Sequence, residues 1–403
     1  MNQGLNVPPS SPTEANMKDT ANPPPGKTKT GFKRMILTLL TIVCVAIAAW
    51  IVFINLPRPE FPVTQNPGSN PPTDSDPEAP PAEPLLPFDV SVVYSPGYLI
   101  ELGGLEKMHP FDIRKYEKIH KGLINDELLT DEQTLKPAPV TREELLLVHT
   151  AEYLEELGSR AKVAQYLEAP VLQYAPLSLE RAVLQPFRRA SGGTILAARQ
   201  ALQTGIGVNL GGGYHHAKPD RGEGFCLYAD VPIAIRKLQS EELISRAIVI
   251  DVDVHQGNGT ILCLADDDST FTFSMHQDNI YPIPKENGDL DVELGGGMQD
   301  DEYLEILAEH LPKILDEADA DICFIVGGCD PLEGDPLAGL KMTHAGIVKR
   351  DHAIVEACVQ RNLPVVLTLS GGYSPDAWKS QYLSVKNLIE VYGLEDAEDD
   401  HAP

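Results

Sequence analysis

Positive charge is scarce in this chain: 32 lysines and arginines stand against 59 acidic residues, a formal net charge of −27. A nucleic-acid binder needs a positive field to displace counterions, so that deficit excludes a DNA or RNA partner. It favours cationic ligands such as lysine tails or polyamines, unless the acidity serves solubility alone. Cysteine is sparse as well, with six in 403 residues, none in a C-x-x-C pair, and Cys44 set apart in an apolar segment. Cys226, Cys263, Cys323, Cys329 and Cys358 cannot all pair, which excludes a disulfide framework. Their apolar neighbours mark most of them as small core residues. No internal repeat is present either.

What is present divides the chain. Residues 1–34 are rich in Pro, Asn, Ser and Thr, end in basic residues and read as disordered. Residues 35–56 are almost purely apolar, and the uncharged part, Ile36 to Ile54, would span roughly 28 Å as a helix, enough for a bilayer core. Lys27, Lys29, Lys33 and Arg34 precede it and only Arg58 follows closely, so the positive-inside rule predicts a single-pass membrane protein. Its N-terminus would be cytoplasmic and its remainder extracytoplasmic. A cleaved signal cut near Ala46-Ile47-Ala48 is the rival, but the apolar run continues beyond it to Ile54. Residues 57–88 form a Pro-rich acidic linker, 89–394 a folded domain, and 395–403 an acidic tail.

Inside the domain, apolar runs alternate with amphipathic ones. Strands are expected at Val90–Tyr94, Gly207–Leu210, Ala247–Ile250, Thr270–Phe273, Ile322–Val326 and Val365–Leu369. Helices are expected at Arg142–Leu157, Leu179–Leu202, Pro232–Leu243, Glu302–Glu317 and Ile347–Arg361, the first opened by a Thr141/Glu144 capping box. That alternation predicts an α/β fold: a three-layer sandwich with a central, mostly parallel sheet.

Polar residues gather where these strands end. After Ala247–Ile250 come Asp251, Asp253 and His255, which an extended chain would point to one side. Two carboxylates and an imidazole there call for a cation. After Gly207–Leu210 a glycine run presents His215 and His216; Ile322–Val326 leads to Asp330, and Val365–Leu369 to Gly371-Gly372-Tyr373. Singly, a strand-end histidine is usually a satisfied polar group and a Gly-Gly-Tyr turn only a turn. Four such features on one sheet rim are hard to explain as packing. Asp253, His255 and Asp330 make a ligand set for Zn²⁺, with Fe²⁺ as the alternative, leaving a place for water. A metal so held would acidify that water and polarise a carbonyl, which suits amide hydrolysis. One of His215 and His216 would take the proton, Asp251 would hold one imidazole from behind, and Tyr373 would donate to the oxyanion.

The stretches Gly212–Ala217, Asp251–Thr260, Gly328-Cys329-Asp330 and Gly371-Gly372-Tyr373 resemble, in order and spacing, the four signatures of the histone deacetylase superfamily with its arginase/deacetylase fold. Tyr94–Tyr98, Gly104–Asp112 and Ala345–Asp351 are similar to class IV members. The resemblance implies zinc on Asp253, His255 and Asp330, His216 as principal acid/base, His215 as its electrostatic partner backed by Asp251, and Tyr373 on the oxyanion. It implies that Asn258, standing where some classes have Asp, polarises His216 less strongly. Gly224-Phe225 would form one wall of an acyl-lysine tunnel and Tyr281 the other. A K⁺ ion would sit near Asp251 and Ser274. The substrate implied is an acylated lysine or amine carrying acetyl or a longer fatty acyl group.

Two rivals remain. An arginase-like ureohydrolase would need a second metal on a carboxylate two residues after Asp330, where this chain has Leu332. A non-catalytic acyl-ligand binder on a membrane stalk would be free to lose Tyr373 or a histidine, and neither is lost. His109, His149 and His276 read as capping or core residues, and His310, His344 and His352 as structural or exposed.

Overall fold

The computed structural model describes residues 86–265 and 267–393. The expected membrane span, the basic N-terminus, most of the linker and the acidic tail lie outside the described residues. Among the described residues no helix is long and apolar enough to cross a membrane.

Seven strands form one sheet: β1 (Asp89–Val93), β2 (Gly205–Asn209), β3 (Ala247–Asp251), β4 (Thr270–Gln277), β5 (Leu290–Leu294), β6 (Ile322–Val326) and β7 (Val365–Thr368). Their order is β1-β2-β7-β6-β3-β4-β5 and every pairing is parallel, so the sheet is more uniform than the sequence suggested. Strands β2, β3, β6 and β7 are buried along their whole length, which is why they are apolar runs without alternation. Each large aliphatic side chain so removed from water contributes roughly 1.5–3 kcal/mol.

The helices are α1 (Lys115–Asn125), α2 (Arg142–Leu145), α3 (Ala151–Glu156), α4 (Arg160–Tyr166), α5 (Gln185–Thr204), α6 (Asp230–Ser240), α7 (Asn258–Leu264), α8 (Asp300–Ala318), α9 (His344–Val359) and α10 (Ala377–Tyr392). Helices α5, α6 and α7 pack in succession on one another and on the sheet; α8, α9, α10 and α1 form a second such group. The helix expected over Arg142–Leu157 is split in two. The Thr141/Glu144 capping box opens α2 as expected, but Thr150 caps a new helix by accepting from Tyr153 N–H. Between them His149 is buried, its Nδ1 on the Lys218 carbonyl and its Nε2 accepting from Ala229 N–H.

The register fixes where chemistry can occur. Asn209, Thr368, Val326 and Asp251 lie in one row across the neighbouring strands β2, β7, β6 and β3. The chain leaves all four strands from that row, at the carboxyl edge of a parallel sheet, where ligand sites form.

Candidate active site

Strand β3 stops at Asp251 and the chain bends, so Asp251, Asp253 and His255 do not share one extended face. Asp251 turns to the His pair, while Asp253 and His255 meet Asp330 from the end of β6. One ligand atom from each of these three lies within 4.8 Å of the others. His255 Nδ1 is 3.2 Å from Asp253 Oδ1 and 3.2 Å from Asp330 Oδ2. All three residues are buried. Asp253 Oδ2 accepts from Ser370 Oγ (2.9 Å) and Gly371 N–H (2.9 Å), and Asp330 Oδ1 from Val254 N–H (2.9 Å).

These contacts decide the charges. Burial opposes ionisation of Asp253, but the His215 and His255 charges and its hydrogen bonds hold its carboxyl well below the usual range. Asp330 is the carboxyl pushed up, to about 7, by burial and then by Asp253. Burial would lower His255, yet the two carboxylates raise it to about 10. A pocket that draws a proton so strongly is built for a cation, and one imidazole nitrogen with two carboxylate oxygens fits Zn²⁺ or Fe²⁺. Asp335, five residues beyond Asp330, spends its oxygens on Leu337, Tyr373 and Ser374 N–H groups, and Leu332 offers no ligand for a second metal.

The two imidazoles leave the end of β2 on a turn held by buried Asp230, which accepts from Gly213 N–H (2.9 Å), Tyr214 N–H (2.7 Å) and Thr194 Oγ1 (2.6 Å). Their ring centroids are 4.1 Å apart. His215 Nδ1 lies 2.7 Å from Asp251 Oδ2, and His216 Nδ1 2.8 Å from Asn258 Oδ1. Asn258 Nδ2 donates to Glu223 (3.3 Å), which fixes its amide with oxygen toward His216. The His216 proton is therefore on Nδ1, leaving the Nε2 lone pair free. Burial works against a charge on His215, but Asp251 and then Asp253 raise it to about 9. His216 is held well below its ordinary value by burial and by the charges on His215 and His255. One imidazole is kept as a cation and its neighbour as a base.

That placement predicts a pH profile. The acid limb of kcat/KM should fall below pH 6.5, because His216 stays neutral there. Asn258→Asp puts an anion behind Nδ1 and should move that limb upward by about one unit. A limb unmoved by the substitution would mean that another group titrates.

Tyr373 follows β7. Its ring lies 6.1 Å from His255 and 5.9 Å from Phe225, and burial followed by Asp330 and Asp253 raises its phenol well above the ordinary value, so it remains a donor. Phe225 stacks edge-on against His109 at 4.6 Å, and Tyr281 stands 4.8 Å from His216 with its hydroxyl on Glu223 (2.7 Å). His109 thus backs Phe225, with its Nε2 2.8 Å from the Leu167 carbonyl. Ser274 is the register partner of Asp251, and its hydroxyl lies 2.9 Å from His276 Nδ1. Gly224 has φ +52°, and a Cβ there would come 2.5 Å from His216 Cδ2. Gly224→Ala should displace that ring and lower kcat about 10²-fold with little change in KM, measured by steady-state kinetics.

Glu223, Lys115, Asp335 and Asp230 went unnoticed in the sequence. Glu223 joins Asn258, Tyr281 and Lys218 Nζ (2.9 Å). Buried Lys115 donates to the Ser370 (2.6 Å) and Gly371 (2.8 Å) carbonyls beneath the tyrosine loop. Asp335 holds Tyr373 N–H at 2.7 Å. Asp230 and Lys115 serve backbone groups, which leave no motif to read.

Comparison with known proteins bears on this arrangement. Residues 109–389 match the histone deacetylase domain. Histone deacetylase 2 of Arabidopsis thaliana is 38% identical over 303 residues, covering 74% of this chain and 78% of its own. An uncharacterized protein of Picosynechococcus is 37% identical over 287 residues, 70% of this chain and 92% of its own. The acetoin utilization protein AcuC of Staphylococcus aureus is 28% identical over 301 residues, 69% and 77% respectively. Among solved structures, the HDA15 HD domain superposes with a TM-score of 0.60 at 22% identity, covering 75% of this chain and 88% of that one, a likeness of fold.

Proposed function

This chain belongs to the histone deacetylase domain family, and on that premise we propose that it hydrolyses the amide of an Nε-acylated lysine or related N-acylated amine. The observation that carries the reading is one buried pocket in which Asp253, His255 and Asp330 converge beside an unequally charged imidazole pair. Those three residues would hold Zn²⁺, which supplies a Lewis acid for the amide carbonyl and lowers the pKa of water at the site. His216 Nε2 takes the proton from the attacking water and returns it to the leaving amine as the C–N bond breaks. His215, kept cationic by Asp251, holds His216 neutral and adds positive charge where the oxyanion develops. The Tyr373 hydroxyl donates to that oxyanion. Phe225 and Tyr281 flank the substrate stem and exclude water. The products are a carboxylic acid and a free amine.

The class IV-like stretches favour a substrate range that includes long fatty acyl groups beside acetyl. A K⁺ ion near Asp251 and Ser274, register partners on β3 and β4, belongs to the same proposal. The apolar run Ile36 to Ile54 supports a single-pass anchor with the catalytic domain outside the cytoplasm. Small acylated amines or surface proteins would then be met more often than histones. Acid release from lysine peptides acylated with acetyl through myristoyl, measured with the zinc content of the protein, tests the reaction. Zinc-loaded protein that releases no acid from any of them would sink it. Recovery of the full chain in the carbonate-washed membrane fraction tests the anchor.

A further inference from the structure

Arg350 takes no part in the chemistry above, yet it heads the fully buried side chains by volume among the described residues. It lies on α9, within the Ala345–Asp351 stretch to which the reaction assigns nothing. Its Nη1 donates to the carbonyl of Val252 (2.9 Å) and to that of Gly328 (2.8 Å). Val252 immediately precedes Asp253, and Gly328 lies two residues before Asp330. The ladder between β3 and β6 ends with the bond from Val252 N–H to the Val326 carbonyl (3.1 Å). Beyond it the two strands separate into the loops that carry the three ligands of the pocket, Asp253, His255 and Asp330.

The other edge of the guanidinium is anchored. Nε donates to Asp351 Oδ1 (2.8 Å), Nη2 lies 2.7 Å from the same oxygen, and Asp351 Oδ2 accepts from Ser384 Oγ on α10 (2.6 Å). A planar fork held by a carboxylate on one side presents its remaining donors in a fixed direction, which a flexible ammonium does not. We propose that Arg350 is a positioning residue of the metal centre, a brace that sets the spacing between the Asp253–His255 and Asp330 loops from behind. The inference rests on the reading of those three residues as a zinc site. Without the brace the ligands remain but their separation is no longer fixed, so affinity for the ion falls while the fold persists.

A residue serving the core alone would affect stability and leave zinc binding untouched, which gives the test. The full chain is stripped of metal, and zinc affinity is measured by competition with a chromophoric chelator beside the thermal midpoint of the metal-free protein. Arg350→Met combined with Asp351→Leu removes both charges together, a replacement that buried ion pairs often tolerate. The expected result is a zinc affinity about 10- to 100-fold weaker, the range for residues that orient metal ligands, with a cooperative metal-free transition retained. Asp351→Asn keeps the guanidinium and frees its fork; it makes the same comparison, with a smaller loss, if the double variant does not fold. A folded variant whose zinc affinity stays within twofold of wild type overturns the proposal. Wild-type protein that binds no zinc, or binds it equally after Asp253→Ala, overturns the metal site itself.

Discussion

His216→Ala is expected to lower kcat by about 10²–10⁴-fold, the range for loss of a positioned acid/base, with KM for an acetyl-lysine peptide and zinc content close to wild type. The expectation follows from where the proton sits. His216 spends Nδ1 on Asn258 and keeps a lone pair on Nε2, and its neighbours' charges hold it neutral. His215, 4.1 Å away between centroids, cannot replace it, because its proton is fixed toward Asp251 and its affinity for that proton is raised to about 9. Tyr373→Phe removes a single donor and should cost about 10²–10³-fold in kcat. The double variant should fall short of the product of the two, since both act on one transition state. Turnover of acid unchanged in both single variants would refute the assigned roles.

The sequence revealed what the row of strand ends carries and missed what holds it in place. Strands β3, β6 and β7 were legible because a strand buried on both faces must be apolar throughout, and the first polar residue then marks its end. Strand β5, Leu290–Leu294, escaped because it is an edge strand that leaves Asp291 half-buried and Glu293 exposed. Helix α1 escaped because its buried face includes Lys115 and His120, which spoil the apolar period. The single helix expected over Arg142–Leu157 failed because His149 is drawn inward to two backbone groups, a tertiary demand invisible in a 3.6-residue pattern. In the pocket, Asp253, His255 and Asp330 could be named from residue type at a strand end. Arg350, Lys115, Asp335 and Asp230 could not, because their partners are backbone carbonyls and amides far away in the chain.

Asp330→Asn should reverse its effect on stability according to whether zinc is present. Asparagine keeps an oxygen for Val254 N–H but brings no charge, and Asp330 is the carboxyl whose ionisation the pocket resists, titrating at about 7. Below pH 4 that carboxyl is protonated in folded and unfolded chains alike, and the substitution is close to neutral. As pH rises from 4 to 7 the unfolded carboxyl ionises freely while the folded one resists, so metal-free wild type loses stability. Above pH 7 the deficit is complete. Metal-free Asp330→Asn should then be the more stable protein by on the order of 2 kcal/mol, a gain trimmed because the His255 proton loses one partner. Zinc inverts the order: at a concentration of 100 Kd it adds about 2.7 kcal/mol to wild type and little to a variant with one ligand weakened. Turnover should meanwhile fall by about 10³-fold or more, since several kcal/mol of charge stabilisation depend on the ion. Thermal midpoints of both proteins at pH 5 and pH 8, with and without zinc, give the four differences needed. If metal-free Asp330→Asn proves less stable than wild type at pH 8, the three residues form an ordinary polar core and not a cation site left unbalanced without its ion.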